Sequence, residues 1–273
     1  MLTPLLAALA LTSLGPGTVE RMYVFNCGEI QIKDISHWSL GVNAGRQFEF
    51  SNNCYLIRHA RGWMLWDSGY PDAYAARPEG VAAPSGLNVG RLPRTLASQL
   101  ADIGLTPSDI THLAFSHMHG DHVGNAGLFS RATLHIQEAE YDAAFGPDFA
   151  KFSFNRAVFE RLRDNPVVTL RGDHDVFGDG SVMILSTPGH TPGHQSLLVR
   201  LPRHGAVILS GDLVHFQDNW EHRRVPAFNY DREQSLASMQ KVADLLVSEK
   251  AELWINHDKV QSARIPKAAR YIE

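Results

Sequence analysis

Three histidines and an aspartate fall within six residues of this chain, directly after an apolar segment. His117, His119, Asp121 and His122 follow the segment His112–Phe115, which is predicted to be a β-strand. Imidazole and carboxylate groups bind divalent metal ions and transfer protons near neutral pH. Burying such a cluster without partners would be energetically unfavourable. The spacing H-x-H-x-D-H therefore predicts a metal site where this strand ends.

Three further predicted strands end in a short turn that presents histidine or aspartate. Each of these residues alone has an ordinary explanation, such as a helix cap for Asp212 or a solvated imidazole for His257. Four strand ends with the same chemistry are better explained by one shared site, because functional residues concentrate in loops at strand ends. The residues are His190 and His194 after Val182–Leu185, Asp212 after Val207–Leu209, and His257 after Leu253–Ile255.

The elements that must position these residues are short apolar strands and amphipathic helices. Their order predicts an α/β (α+β) fold of layered sheets flanked by helices. The segment Pro71–Gly90, with several Gly and Pro residues, is predicted to be a long loop. The predicted strands are Met22–Phe25, Cys54–Ile57, Trp63–Trp66, His112–Phe115, Thr133–Ile136, Val167–Leu170, Val182–Leu185, Ser196–Val199, Val207–Leu209 and Leu253–Ile255. The predicted helices are Pro93–Ile103, Glu138–Phe145, Phe154–Arg163 and Arg232–Ser248.

The composition is that of a folded globular protein, with 44% hydrophobic and 20% charged residues among 273. A formal net charge of −4 argues against a nucleic-acid-binding surface. No apolar run is long enough to span a membrane. The two cysteines, Cys27 and Cys54, are too few for a disulfide scaffold or a cysteine-based zinc site, and we expect two buried free thiols.

The first 20 residues are predicted to be a leader that precedes a single domain over residues 21–273. The run Leu5–Leu14 is apolar and is followed by Gly15-Pro16-Gly17, as in a secretory signal, but no basic residue precedes it. Two interpretations stay open, a signal segment and a flexible N-terminus. The first predicts a periplasmic or secreted protein, and the second a cytoplasmic one.

The histidine and aspartate motifs, in this order along the chain, resemble those of the metallo-β-lactamase-fold hydrolase superfamily. The resemblance implies a four-layer αββα sandwich and two divalent metal ions, with Zn²⁺ fitting the N/O ligands best. It implies that His194 orients the site rather than binding metal. The implied ligands are His117, His119 and His190 for the first ion, Asp121, His122 and His257 for the second, and Asp212 for both.

Within the superfamily the chain is most similar to the N-acyl-homoserine lactonases. The segments that carry this similarity are Tyr23–Gly28, Asn52–Ile57 and Trp66–Gly69. It implies a small-molecule lactone or ester substrate, a possible homodimer, and ring opening by a metal-bridging hydroxide, with Asp121 as proton relay. Asp212 disfavours the β-lactamases that have cysteine there, and His119 disfavours the di-iron branch. The alternative is a phosphotriesterase or broad esterase of the same fold.

One departure from the lactonase pattern concerns the substrate. Many of these lactonases have a substrate-binding tyrosine three residues after the bridging aspartate, where this chain has His215. We expect His215 to donate a hydrogen bond to the substrate carbonyl, and the alternative is a structural imidazole. Aromatic residues that follow are expected to form an apolar wall for an acyl chain: Phe216, Trp220, Phe228 and Tyr230, with Trp38 and Phe48 as weaker candidates. The alternative for each of them is ordinary anchoring of the loop to the core.

Overall fold

The computed structural model describes residues 18–273. Most of the predicted leader therefore lies outside the described residues, and Val19 and Glu20 already belong to the first strand. The strands are β1 (Val19–Ile32), β2 (Phe48–His59), β3 (Gly62–Trp66), β4 (Val81–Ala82), β5 (Asn88–Arg91), β6 (His112–Ala114), β7 (Thr133–Gln137), β8 (Val167–Leu170), β9 (His174–Asp175), β10 (Val182–Ser186), β11 (Gln195–Leu201), β12 (Gly205–Leu209), β13 (Glu252–Trp254) and β14 (Tyr271–Ile272).

The α-helices are mostly short. They are α1 (Leu96–Ala101), α2 (Glu138–Phe145), α3 (Arg156–Phe159), α4 (Gln217–Glu221), α5 (Arg232–Ser248) and α6 (Lys259–Ser262). Single 3₁₀ turns cover Ile35–His37, Asp72–Ala76, Pro107–Asp109, Ala126–Leu128, Phe149–Phe152 and Glu160–Asp164. Within residues 18–273, none of these helices has the length and apolar character needed to cross a lipid bilayer.

Two sheets pack face to face, and helices cover their outer faces. The strand order is β4-β5-β1-β2-β3-β6-β7-β8 in one sheet, with β14 paired to β1, and β13-β12-β11-β10-β9 in the other. Side chains alternate along each strand, so in β1 Met22 and Val24 lie between the sheets while Tyr23 and Phe25 face α1–α3. In β10, Leu185 packs against α5. The four-layer αββα sandwich is therefore confirmed.

Strand direction explains why the predicted site residues meet. β3, β6 and β7 run parallel, as do β12 and β13. β11 is antiparallel to both β10 and β12, so β10 and β12 point the same way. The carboxyl ends of β6, β10, β12 and β13 thus lie at one edge of their sheets, and the turns that follow carry the histidines and aspartates.

The predicted helices Glu138–Phe145 and Arg232–Ser248 are confirmed with the bounds given above. The helix predicted over Pro93–Ile103 is shorter, because the Thr95 side chain accepts a hydrogen bond from Ser98 N and caps α1. The helix predicted over Phe154–Arg163 is wrong in part, since the segment divides into α3 and a 3₁₀ turn. The loop predicted over Pro71–Gly90 contains β4 and most of β5, which pairs with β1.

The two cysteines form a disulfide bond, so the expectation of two free thiols is wrong. They are 27 residues apart in sequence, and Cys27 lies where the pairing of β1 with β2 shifts register. Phe25 pairs with Cys54, so the bulge moves Cys27 beside its partner. Such a shift depends on strand pairing and leaves no signal in the spacing of two cysteines.

Replacing both Cys27 and Cys54 by Ala should lower Tm by roughly 5–10 °C. The cross-link closes a loop of 27 residues, which in the chain-entropy treatment stabilises the folded state by about 3.5 kcal/mol. Thermal unfolding of the oxidised protein and of the double variant measures the effect. Two titratable thiols per chain in denaturant without reductant, or an unchanged Tm, would contradict it.

Candidate metal centre

Three histidine nitrogens come together at the end of β6 and β10. His117 Nε2 lies 2.8 Å from His119 Nδ1, which lies 3.1 Å from His190 Nε2. We call these residues the three-histidine group. Ligands of a tetrahedral Zn²⁺ at ~2.0–2.1 Å lie about 3.3 Å from one another, so the spacing is close to that of a metal site.

A second set of ligand atoms lies beside the first and comes from the turns after β6 and β13. Asp121 Oδ2 is 3.8 Å from His122 Nε2 and 3.9 Å from His257 Nε2. We call Asp121, His122 and His257 the mixed group. Each of the three offers one ligand atom, and these atoms lie within 4.8 Å of one another, so a single cation could bind all three.

The Asp212 carboxylate lies between the two groups and faces each with a different oxygen. Oδ1 is 3.2 Å from His122 Nε2 and 3.0 Å from His257 Nε2. Oδ2 is 3.8 Å from His117 Nε2 and 3.4 Å from His190 Nε2. A carboxylate in this position can bridge two neighbouring cations. The structure thus brings together all seven residues that the sequence predicts as ligands.

The protonation preferences of His117, His190 and Asp212 fit a cation site. Burial holds the pKa of His117 and of His190 well below the ordinary value, which keeps both imidazoles neutral, as metal binding requires. Burial alone would raise the pKa of Asp212, but His257, His122 and the other imidazoles hold it well below its usual range. His122 Nε2 and Asp212 Oδ1 are buried without a hydrogen bond. Buried polar atoms of this kind need a partner, and a divalent cation would supply it.

Hydrogen bonds on the far side of each imidazole select which nitrogen faces the centre. His119 Nε2 donates to Phe152 O at 2.9 Å, and His257 Nδ1 donates to Ser51 O at 2.7 Å. His190 Nδ1 lies 3.0 Å from Asn229 Oδ1. These partners fix the ring orientations and increase the basicity of the nitrogen left for a metal.

Asp67 is a functional residue that sequence reasoning did not single out. Its Oδ2 accepts from His122 Nδ1 at 3.0 Å, and its Oδ1 accepts from Ser116 N at 2.7 Å. The residue is fully buried and has a φ of 59°, a conformation unusual for a residue other than glycine. The signal was available, because Asp67 directly follows strand β3, and the loop that carries His117 likewise follows strand β6.

His194 and His215 occupy different positions relative to the centre. His194 Nε2 accepts from Asp212 N at 2.9 Å and Nδ1 contacts Thr187 O at 3.0 Å, so both nitrogens are used in orienting the turn. His215 is buried, and its Nε2 lies 3.1 Å from Asp212 Oδ2 on the side of the three-histidine group. Neither nitrogen of His215 makes a hydrogen bond of acceptable geometry. His215 therefore retains a nitrogen that a substrate could engage.

A cleft opens from the centre and is only partly lined by the predicted aromatic residues. A cavity of about 140 Å³ over the ligands continues into a cleft of about 770 Å³, and Trp38 and Phe228 line both. Tyr230 lines the larger cleft. Two expected wall residues lie elsewhere: Phe216 packs against Phe48 and Phe50 beneath the centre, and Trp220 packs against the cluster under α5. The structure also places Phe48 away from both cavities, so Trp38 is the weaker candidate that it brings to the cleft.

Comparison with known proteins places this geometry in a family. Residues 48–249 match the Metallo-beta-lactamase superfamily. The chain belongs to this superfamily. It is 31% identical to the N-acyl homoserine lactonase AttM of Azorhizobium caulinodans over 93% of this chain and 98% of that protein. It is 29% identical to an N-acyl homoserine lactonase of Bacillus sp over 93% of this chain and the whole relative.

A solved structure shares the fold of this chain over nearly the whole length of this chain. It is an N-acyl homoserine lactone hydrolase with the product N-hexanoyl-L-homoserine bound at the catalytic metal center. Its TM-score is 0.80 at 26% identity, covering 93% of this chain and 100% of that chain. This chain therefore has the same architecture as a protein that binds its product at the metal centre.

Proposed function

We propose that this protein is a metal-dependent hydrolase that opens the lactone ring of N-acyl-homoserine lactones. The observation that carries the proposal is the position of Asp212, whose two oxygens face two separate groups of ligand atoms at the base of an aromatic cleft. The named relatives, all similar over nearly the full chain, favour a lactonase over the phosphotriesterase alternative.

The centre is proposed to bind two divalent ions, with Zn²⁺ the best match to its donors. The three-histidine group would hold one ion, the mixed group the other, and Asp212 both. Imidazole and carboxylate ligands without thiolate suit Zn²⁺, and Mn, Fe or Co would also be accepted. When bound, two such ions would supply a nucleophilic water at neutral pH and would polarise the carbonyl that it attacks.

The protein's own groups then govern the ring opening. Water gives up one proton as it adds to the lactone carbonyl carbon, the ring C–O bond breaks, and the released alkoxide takes up that proton to give the N-acyl-homoserine. We expect Asp121 to carry that proton, because its side chain is the most exposed carboxylate of the centre. We expect His215, which lines the cavity over the ligands, to donate a hydrogen bond to the carbonyl oxygen as negative charge develops there. Trp38 and Phe228 would shield the reacting atoms from bulk water.

Replacing His215 by Phe should lower kcat/KM about 10–100-fold, while His215→Tyr should recover part of the loss. Phe keeps the packing against Trp38 and Phe228, whose rings lie 6.3 and 6.1 Å away, but it cannot donate a hydrogen bond. Steady-state kinetics, with metal content measured on the same samples, tests this. A Phe variant that keeps both its metal and the full rate would leave His215 with a structural role only.

The aromatic cleft should determine how strongly the acyl chain of the substrate raises kcat/KM. Replacing Phe228 by Ala should reduce kcat/KM more for long acyl chains than for short ones, because each buried methylene contributes about 0.8 kcal/mol. Trp220→Ala is the matched control, since Trp220 packs under α5 outside the cleft. Equal losses for all chain lengths would show that Phe228 does not contact the tail.

The substrate assignment is tested with a panel on metal-reconstituted protein. Ring opening of several N-acyl-homoserine lactones is compared with hydrolysis of a phosphotriester such as paraoxon and of simple aryl esters. Lactones should give the highest kcat/KM. Efficient cleavage of another ester without any lactone turnover would reject the proposal.

We also propose that the protein acts in an oxidising compartment, periplasmic or extracellular. The Cys27–Cys54 disulfide supports this location, because structural disulfides persist where thiols are not kept reduced. Fractionation of the native host, with the disulfide state trapped by alkylation, tests it. Recovery of the protein in the cytosolic fraction with both thiols reduced would contradict it.

A further inference from the structure

Helix α2 buries a carboxylate that none of the roles above employs. Glu140 lies in the first turn of the helix and is 1% exposed. Its Oε1 accepts from Met118 N at 2.9 Å, and its Oε2 accepts from Gly193 N at 2.9 Å. Both partners are backbone amides of loops that reach the metal centre. Burial raises the pKa of the Glu140 carboxyl to about 7, so keeping its charge inside the protein is unfavourable without these donors.

The two amides belong to the segments that carry the three-histidine group. Met118 lies between His117 and His119, and Gly193 ends the turn that begins at His190. One side chain therefore joins the segment after β6 to the segment after β10, which are otherwise distant in sequence. Because one carboxyl group accepts from a backbone amide of each segment, this link can fix the separation of the two segments.

Close backbone packing reinforces the link. A Cβ atom at Gly193 would lie 2.3 Å from Glu140 N, so the turn can approach α2 only because residue 193 is glycine. The backbone of the helix and the backbone of the turn are thus in contact around the carboxylate. A shift of Glu140 would move both loops relative to each other.

The mixed group has separate anchors. Asn52 Nδ2 donates to Asp121 O at 2.7 Å, and Asp67 binds His122. Ser51 O holds His257. These contacts come from β2 and from the turn after β3. The mixed group therefore has supporting contacts that do not involve Glu140, although Asp121 and His122 share the loop after β6 with His117 and His119.

We propose that Glu140 is a positioning residue that aligns the three-histidine group and thereby sets the affinity of one of the two metal positions. Replacing it by Gln should weaken that position about 10–100-fold, in the range seen when a supporting partner of a metal ligand is removed. The amide keeps one acceptor oxygen but turns an NH₂ group toward the other backbone N–H. The mixed group should change less than about 3-fold.

The experiment measures metal binding, without substrate, in variants that each retain one half of the centre. His257→Ala leaves the three-histidine group, and His190→Ala leaves the mixed group. Glu140→Gln is added to each, and Zn²⁺ affinity is measured by competition with a chromophoric chelator. Glu138→Gln is the matched control, because it lies on the same helix and is exposed, where it pairs with Arg171. The inference requires a loss with Glu140→Gln only in the His257→Ala background.

Other outcomes would overturn the inference. If Glu140→Gln weakens Zn²⁺ binding equally in both backgrounds, and in proportion to the fall in Tm of the metal-free protein, Glu140 is a general structural residue. If Zn²⁺ affinity is unchanged in both backgrounds, Glu140 has no role in metal binding. If the Gln variant does not fold, Glu140→Asp gives the same test, because its shorter side chain cannot reach both amides. The inference rests on the proposed metal centre but not on the substrate, and wild-type binding of fewer than two ions would count against the centre instead.

Discussion

Replacing Asp212 by Ala is expected to lower kcat/KM for the lactone about 10³-fold or more, equivalent to about 4 kcal/mol in the barrier. Its two oxygens lie within 3.0 to 3.8 Å of nitrogens from both ligand groups. Removing the carboxylate takes one ligand from each proposed metal position and leaves a cluster of imidazoles without its central anion. Metal content should fall below two ions per chain in the same variant.

Two further variants separate charge from shape in this prediction. Asp212→Asn keeps the size of the side chain but loses the negative charge, and it should fall between wild type and Asp212→Ala. Asp218→Ala is the control, because Asp218 is exposed and pairs with Arg224. Steady-state kinetics and atomic emission analysis on the same preparations measure the effect. An Ala variant with wild-type rate and two bound ions would show that Asp212 does not bridge.

The ligand residues could be predicted from the sequence because each follows an apolar strand. A strand end places its next residues at the sheet edge, and parallel strands place them at the same edge. His117 to His122 share one loop, so their proximity is local. Asp212 and His257 are 45 residues apart, yet β12 and β13 are parallel neighbours, and strand direction alone brings them together.

The supporting contacts could not be predicted in the same way. Asn52 meets Asp121 across 69 residues, and Glu140 meets Gly193 across 53. These pairings depend on the register of neighbouring elements, which a single sequence does not contain. The disulfide has the same origin, since it forms at a bulge between β1 and β2.

The fold was predictable where patterns are long and regular. Helix α5 spans 17 residues with an apolar stripe and a capping residue, Asp231, and its predicted bounds are confirmed. Strands β4 and β5 have two and four residues, which is too short for any periodicity to register. The prediction of the residues that line the cleft was wrong in part for a related reason. The aromatic residues after Asp212 show no regular spacing. The sequence therefore gives no sign that Phe228 faces the cleft while Phe216 and Trp220 face the core.

Removing the metal ions should lower the Tm of the protein by roughly 10–15 °C. Ligands that bind only the folded state stabilise it by about 4 kcal/mol each at a thousandfold excess over Kd, and a domain of this length has an unfolding entropy of about 0.6 kcal/mol/K. The physical source of the effect is the buried cluster itself. His117, His122 and Asp212 are almost fully buried, and two of their facing atoms have no hydrogen bond.

Thermal unfolding before and after dialysis against a chelator tests this, with Zn²⁺ added back to restore the original Tm. The control is a double variant, His117→Ala with His257→Ala, which removes one ligand from each group and should be insensitive to chelator. The comparison matters because a chelator that acted away from the metal centre would shift the Tm of the wild type and of the double variant equally. A wild-type Tm that does not respond to metal removal, in protein shown to have lost its ions, would mean that the seven side chains are stable together without a cation. The proposed hydrolysis would then lack its source of an activated nucleophile.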